Sequence, residues 1–190
     1  MIILSVGESH PKKFKLGAVI IKAVECTDHT HSFISWCDEE LSIRKVCESR
    51  GGGGRLVINE QFREENFIVR VFQYEVSQEN LKALEVWAWT HLKPYGYLHN
   101  LGIGIMRLEN ACLKLIRSKK KAVNRFKDGS YSSICVEQTA MAVAIATGIA
   151  LPGDIEDYGL REMHDYNEQN VEIGRCSKAS QELLAQINRT

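Results

Sequence analysis

The six cysteines include no C-x-x-C pair, which argues against a zinc ribbon or a dithiol redox motif. An excess of one charge is missing as well. Lys and Arg number 24 against 24 Asp and Glu, so bulk charge does not point to nucleic acid. No window approaches the length of a membrane span. The opening Met1-Ile-Ile-Leu-Ser-Val-Gly-Glu is apolar but short. It has neither a charged start nor a long apolar core and does not read as a signal peptide. Gly51–Gly54 is an unbroken glycine run, but no Gly-Lys-Ser/Thr follows it, so it is not a P-loop. Repeats and low-complexity tracts are absent.

What remains is an ordinary globular composition over 190 residues, enough for one domain. We read residues 1–190 as one unit with its core at about 15–165 and a surface segment at 166–190. Reduced thiols and no leader imply cytoplasmic synthesis; a protein packaged into a virion afterwards would look the same. A basic cluster runs from Lys114 to Lys127. It reads as a solvated helix end, since helix C-termini favour cations, with an anionic contact as the other reading.

Hydrophobic patterning predicts strands at Met1–Val6, Lys15–Val24, Thr30–Trp36, Ser42–Glu48, Arg55–Asn59 and Phe67–Val76. The period then changes. Helices are expected from the Ser77 cap to Leu92, from Tyr97 to Ile116, from Cys135 to Thr147 with Gly148 as stop, and at Ser177–Ile187. Strands in a block followed by helices predict an α+β fold, an antiparallel sheet packed against helices.

Cys135 opens a strongly apolar, helix-prone run after the turn-forming Asp128-Gly129-Ser130, with Ser132 and Ser133 as capping candidates. A thiol in the first turn of a helix meets unpaired N–H groups and the positive end of the macrodipole. Both favour the nucleophilic thiolate, and the same N–H groups can hold an oxyanion. The other reading is a small core residue, the usual place of a free cysteine. Cys112, on the apolar stripe Leu98, Leu101, Ile105, Leu108, Cys112 and Leu115, is expected in the core.

A nucleophilic cysteine needs a base and a group to orient that base. Among the six histidines His31 stands out, because it opens an alternating strand, a rigid platform. His29 is its nearest rival and is assigned to the turn. His29 and His31 could also be two zinc ligands, but further ligands at suitable spacing are missing. Glu48 ends the next strand, where an antiparallel neighbour can set a carboxylate beside an imidazole.

Thr30-His31-Ser-Phe-Ile, Val46-Cys-Glu48 followed by glycines, Lys93-Pro-Tyr-Gly-Tyr-Leu-His-Asn-Leu-Gly and Ile134-Cys135-Val-Glu137 together resemble the motifs of a circularly permuted papain-like hydrolase. The nearest likeness is to the YiiX-like branch of the NlpC-type cysteine peptidases and amidases. Histidine before cysteine is the order of the permuted branch. The chain departs from the pattern at Val136, where a small or Ser residue is usual. The resemblance implies an antiparallel, barrel-like sheet and a Cys135, His31, Glu48 triad acting through an acyl-enzyme. It implies neither a metal nor an organic cofactor. Substrates would be amides such as those of cell-wall peptides, or acyl–lipid bonds. The alternative is a catalytically weak or inactive component of an assembly such as a phage particle. Tyr95 and Tyr97 are either pocket residues or packed turn aromatics.

Overall fold

The computed structural model describes residues 2–13, 16–25, 27–38, 40–117, 119–126 and 134–189. Five strands, β1 (Ile2–Pro11), β2 (His31–Asp38), β3 (Ile43–Arg50), β4 (Gly53–Ile58) and β5 (Asn66–Val76), together with the two-residue β6 (Ser177–Lys178), form one sheet. Its order is β4-β3-β2-β1-β5-β6, and every pairing is antiparallel. The fold is α+β. The sheet is open, with β4 and β6 at its edges, where the sequence reading expected a barrel-like one.

Alternation along the strands separates two apolar layers. Leu4, Val6, Ile34, Trp36, Cys47, Phe72 and Tyr74 belong to the larger one, with α3 (Gln78–Thr90), α5 (Cys135–Thr147) and α6 (Leu160–Glu172). Phe33, Val46, Ile68 and Val71 belong to the other, with Phe62 of α2 (Asn59–Glu65) and Leu184 of α7 (Gln181–Arg189). Ser77 caps α3 as expected, its Oγ accepting from Asn80 N–H at 3.1 Å. Helix α5 is apolar nearly all round and correspondingly buried. Its small residues Ala140, Ala142 and Ala146 leave no exposed surface. Gly148 ends it at φ 71°, the left-handed conformation that glycine adopts without strain.

Three segments differ from expectation, the shortest being Ser177–Lys178, expected to open the last helix but paired with β5 as β6, so that α7 starts at Gln181. Lys15–Val24 was expected as a strand, but helix α1 (Leu16–Glu25) occupies it. A short β-branched apolar run reads alike in either period, so its packing partner decides. That partner is helix α4 (Tyr97–Leu115), where Val24 lies beside Gly104. The polar stretch after Leu151 hides α6, whose buried stripe is part polar: Leu160, Met163, Tyr166, Asn167 and Asn170. Among the described residues no helix is long and apolar enough to cross a membrane.

Candidate active site

The register of β2 on β3 sets the first two members of the site. Phe33 stands opposite Glu48, so His31, two residues earlier on the same face, is the diagonal neighbour of that carboxylate. Nε2 of His31 lies 2.5 Å from Glu48 Oε2. The β3–β4 hairpin places Arg55 opposite Glu48, and Arg55 Nε donates to Glu48 Oε1 at 2.6 Å. Arg50 Nη1 stands 3.7 Å from the same oxygen. Burial alone would raise the Glu48 carboxyl, but the His31 imidazolium and the two guanidiniums bring it down to about 2. Burial likewise pulls His31 down, yet the Glu48 carboxylate and the hydrogen-bonded Cys135 thiol raise it to about 9.

Cys135 comes to the same ring from the N-terminus of α5. Ser32 Oγ donates to Thr139 Oγ1 at 3.1 Å, and Thr139 Oγ1 donates to the Cys135 carbonyl at 2.8 Å. The residue next to His31 is thereby tied to the first turn of α5. Since Glu48 holds Nε2, Nδ1 is the ring nitrogen left to the thiol. The N-cap position is Ile134, whose N–H donates to Glu137 Oε2 at 2.9 Å, the return half of a capping box. The first intrahelical bond here runs from Gln138 N–H to the Ile134 carbonyl at 3.1 Å. Cys135 N–H thus belongs to the first-turn donors that a helix leaves over. Ser132, Ser133 and the Asp128–Ser130 turn lie outside the described residues.

A cavity of about 640 Å³ opens beside His31, between α1, α4 and the glycine turn. Tyr95 and Tyr97 both line it, ring edge to ring at 4.9 Å. Tyr97 O–H donates to the Gly51 carbonyl at 2.7 Å, and Gly54 N–H donates to the Lys93 carbonyl at 2.7 Å. The glycine run therefore packs backbone to backbone on Lys93-Pro94, where a Cβ on Gly54 would stand 3.1 Å from Leu92 Cα. Burial, then the neighbouring Cys135 charge, raises the Tyr95 hydroxyl well above its ordinary value, so it stays an O–H donor. A second cavity of about 530 Å³ is lined by Glu162, Asp165, Glu168 and Glu172 and shares no residue with the first.

His29 does not compete for the thiol. It is buried in the turn before β2, with Nδ1 3.1 Å from Asp28 and 3.5 Å from Glu8. His29 and His31 therefore answer to different carboxylates and do not share a ligand site. Glu8, Asp28 and His29 do bring three ligand-type atoms within 4.8 Å, but Arg70 is already bonded to both carboxylates. His164 Nδ1 meets Glu8 Oε1 at 2.8 Å. The ring of His10 stacks on Phe67 and that of His91 on Trp87. His99 Nε2 donates to the Glu156 carbonyl at 2.9 Å, with Nδ1 3.3 Å from Glu137.

Cys112, expected in the core, is exposed, as is Cys37. Helix α4 buries His99, Gly102, Ile103 and Met106 instead, and its leucine stripe faces the cavity and solvent. Cys47 is buried and its thiol is pushed up to about 12 by burial and by Glu48. Cys26 lies outside the described residues. Sequence reasoning singled out His31, Glu48 and Cys135, and the structure brings their side chains together. It missed the Arg55 and Arg50 clamp and the Ser32–Thr139 tie. The Arg55 contact had a signal, a Glu and an Arg flanking a glycine turn. No family model matches the chain, and no curated protein or solved structure does either.

Proposed function

We propose that the chain is a cysteine hydrolase of amide bonds, of the circularly permuted papain-like kind that its motifs resemble. The observation that carries this reading is the line of contacts from Cys135 through His31 to Glu48, with His31 raised to about 9. An imidazole of that basicity carries its proton through neutral pH and sets an imidazolium beside the sulfur. A thiolate–imidazolium pair is the working form of a cysteine nucleophile.

The Cys135 thiolate attacks the substrate carbonyl carbon, the C–S bond forms, and the carbonyl oxygen becomes an oxyanion. Cys135 N–H at the start of α5 and the Tyr95 O–H are the donors offered to it. Collapse breaks the C–N bond, and the leaving amine takes the proton from His31. His31 then removes a proton from water, whose oxygen attacks the thioester. The C–S bond breaks, the carboxylic acid departs, and the pair is restored. Glu48 holds the ring by Nε2 and keeps Nδ1 towards the sulfur throughout.

A second reading, a binding component of an assembly such as a phage particle, rests on the apolar surface that α4 exposes at Leu108, Leu115 and Ile116. Alkylation by iodoacetamide, resolved by mass spectrometry for each cysteine across pH, decides between them. The hydrolase reading expects Cys135 to react well below the ordinary thiol range of about 8.5, although it is far less exposed than Cys37 and Cys112. It also expects His31→Ala to abolish that reactivity. A Cys135 no more reactive than Cys112 at any pH overturns it.

A further inference from the structure

Helix α4 has two apolar faces. His99, Gly102, Ile103 and Met106 turn towards the chain's own core. The opposite face carries Leu98, Leu101, Ile105, Leu108, Cys112 and Leu115, in alternating steps of three and four. Its four leucines are 64, 55, 65 and 84% exposed, and Cys112 is exposed with them. A strict three-four alternation is the narrow seam of helix packed on helix, whereas a helix resting on a sheet shows a broader stripe.

A hole for a partner helix is already present. Leu101, Gly104, Ile105 and Leu108 stand at i, i+3, i+4 and i+7, the four corners around which a knob from a facing helix inserts. All four line the cavity between α4 and α1. Glycine at one corner keeps that space open, since a Cβ on Gly104 would already stand 3.4 Å from Val24 Cγ1. The series also reads the same from either end. Run antiparallel against a second copy, Leu98 meets Leu115, Leu101 meets Cys112 and Ile105 meets Leu108, which makes the face self-complementary about a two-fold axis. The partner's Leu108 then falls at the centre of the hole.

Charge sets the direction. Lys114, Arg117, Lys119 and Lys121 crowd the C-terminal end of α4 and the segment after it, all exposed. A parallel pair would set that basic end against its own copy. An antiparallel pair holds the two ends about 25 Å apart, beyond a screening length of about 10 Å. One helix face gives less than the about 800 Å² per partner of a standard interface. Ile20 of α1, 55% exposed on the far wall of the cavity, widens the strip to two helices.

We propose that the chain forms a two-fold dimer by antiparallel pairing of α4 with α4 of a second copy, the partner's Leu108 filling the hole beside Gly104 and α1 flanking the seam. The dimer accounts for the exposed α4 surface under either reading of the function. Because Leu101, Ile105 and Leu108 line the cavity that reaches His31, the partner helix becomes one of its walls.

Sedimentation equilibrium of the whole chain is expected to show a monomer–dimer equilibrium with a micromolar or tighter dissociation constant. Leu108→Asp, at an exposed position, is expected to leave the circular dichroism unchanged. It should weaken the pairing roughly a hundredfold or more, since each dimer loses two central knobs. Direction is read by thiol cross-linking in a Cys37→Ser background, which removes the other cysteine exposed among the described residues. There Leu101→Cys is expected to give a disulfide-linked dimer with the partner's Cys112 under diamide, reversed by reductant. Without Leu101→Cys, the two Cys112 residues of the dimer stand about 16 Å apart along the seam, beyond disulfide reach, and no link forms. A Cys112–Cys112 link means a parallel pair and overturns the proposal. A chain that stays monomeric at every concentration overturns it as well, and binding of that monomer to phosphatidylglycerol vesicles would give the face to a membrane. A dimer that Leu108→Asp leaves intact has its interface elsewhere and also overturns it.

Discussion

Phe33 of β2 and Glu48 of β3 are cross-strand partners, and the proposed catalytic base is set by that one pairing. A slip of one residue would turn Cys47 or Ser49 to the His31 face and send the carboxylate to the other side of the sheet. Glu48 is 1% exposed and holds three cations, His31, Arg55 and Arg50. With Glu48→Gln the charge that raises His31 is gone while burial, which lowers it, stays. His31 is then expected to titrate well below about 9, with Cys135 alone left to raise it. NMR of the imidazole ring across pH measures this directly. Loss of the carboxylate also leaves Arg55 half-compensated, so unfolding in urea should show a cost of about 3–5 kcal/mol for Glu48→Ala.

The same pair gives stability a pH window. His31 is raised from 6.5 to about 9 in the folded chain. Its contribution is complete below 6.5 and is lost as pH rises through 9. Glu48 is lowered from 4.5 to about 2. Its contribution is complete above 4.5 and is lost as pH falls towards 2. The stability difference between the native chain and His31→Ala should therefore be flat between 4.5 and 6.5 and shrink on both sides. Urea midpoints at a series of pH values give that curve. A difference that grows above pH 9 would mean that the carboxylate does not raise the ring.

His164 belongs to a separate buried cluster with a one-sided pH response. Its hydrogen bond to Glu8 raises it, and burial opposes. A raised histidine stabilises below its unfolded value and ceases to as pH climbs through the folded one. The native chain is expected to lose its advantage over His164→Phe on moving from pH 6 towards alkaline values. The loss should track the titration of that ring, read by NMR in the same samples.

Strong local patterning made some parts of the chain legible from sequence. The Ser77 cap, the helix from Tyr97 and the Gly148 stop each follow from a few neighbouring residues. The strand histidine, the acidic strand end and the helix-start cysteine were visible as residue types in order. Contacts set by register or by packing were not. Arg55 meets Glu48 only because the hairpin folds over Gly51–Gly54. Helix α1 was mistaken for a strand because Val19-Ile20-Ile21 satisfies a β pattern locally, and only α4 beside it settles the matter. The α4 stripe was read as core because periodicity reports an apolar face without saying what covers it. Here that face lines a cavity.

Gly7 lies beneath Phe33 in the β1–β2 pair, and a Cβ there would fall 2.0 Å from the ring. Gly7→Ala must push the ring off its seat on Phe62, 4.4 Å away between centroids. Overpacking of this kind costs about 1–3 kcal/mol. Phe33→Leu alone also destabilises, by leaving a cavity. Combined, the two changes should cost less than their sum by at least ~0.5 kcal/mol, because the smaller side chain makes room for the new methyl. Because Phe33 is the partner of Glu48, the single Gly7→Ala change is also expected to slow Cys135 alkylation. Strict additivity with unchanged alkylation would mean that the β2 face yields without disturbing the pair.

Tyr95 separates the two halves of the proposed reaction. Its hydroxyl stays protonated beside the Cys135 charge and can donate to an oxygen that gains charge as the thiolate adds. Hydrolysis passes through such an oxyanion, whereas alkylation by iodoacetamide is a displacement at saturated carbon and forms none. Tyr95→Phe removes one hydrogen-bond donor and little volume. Loss of an oxyanion donor costs about 10²-fold or more in kcat, so ester and amide turnover should fall by that order with KM little moved. The pH dependence of Cys135 alkylation should keep its midpoint. An equal loss in both reactions would assign the hydroxyl to the sulfur itself, as a donor that stabilises the thiolate. The oxyanion would then rest on the first-turn N–H groups of α5.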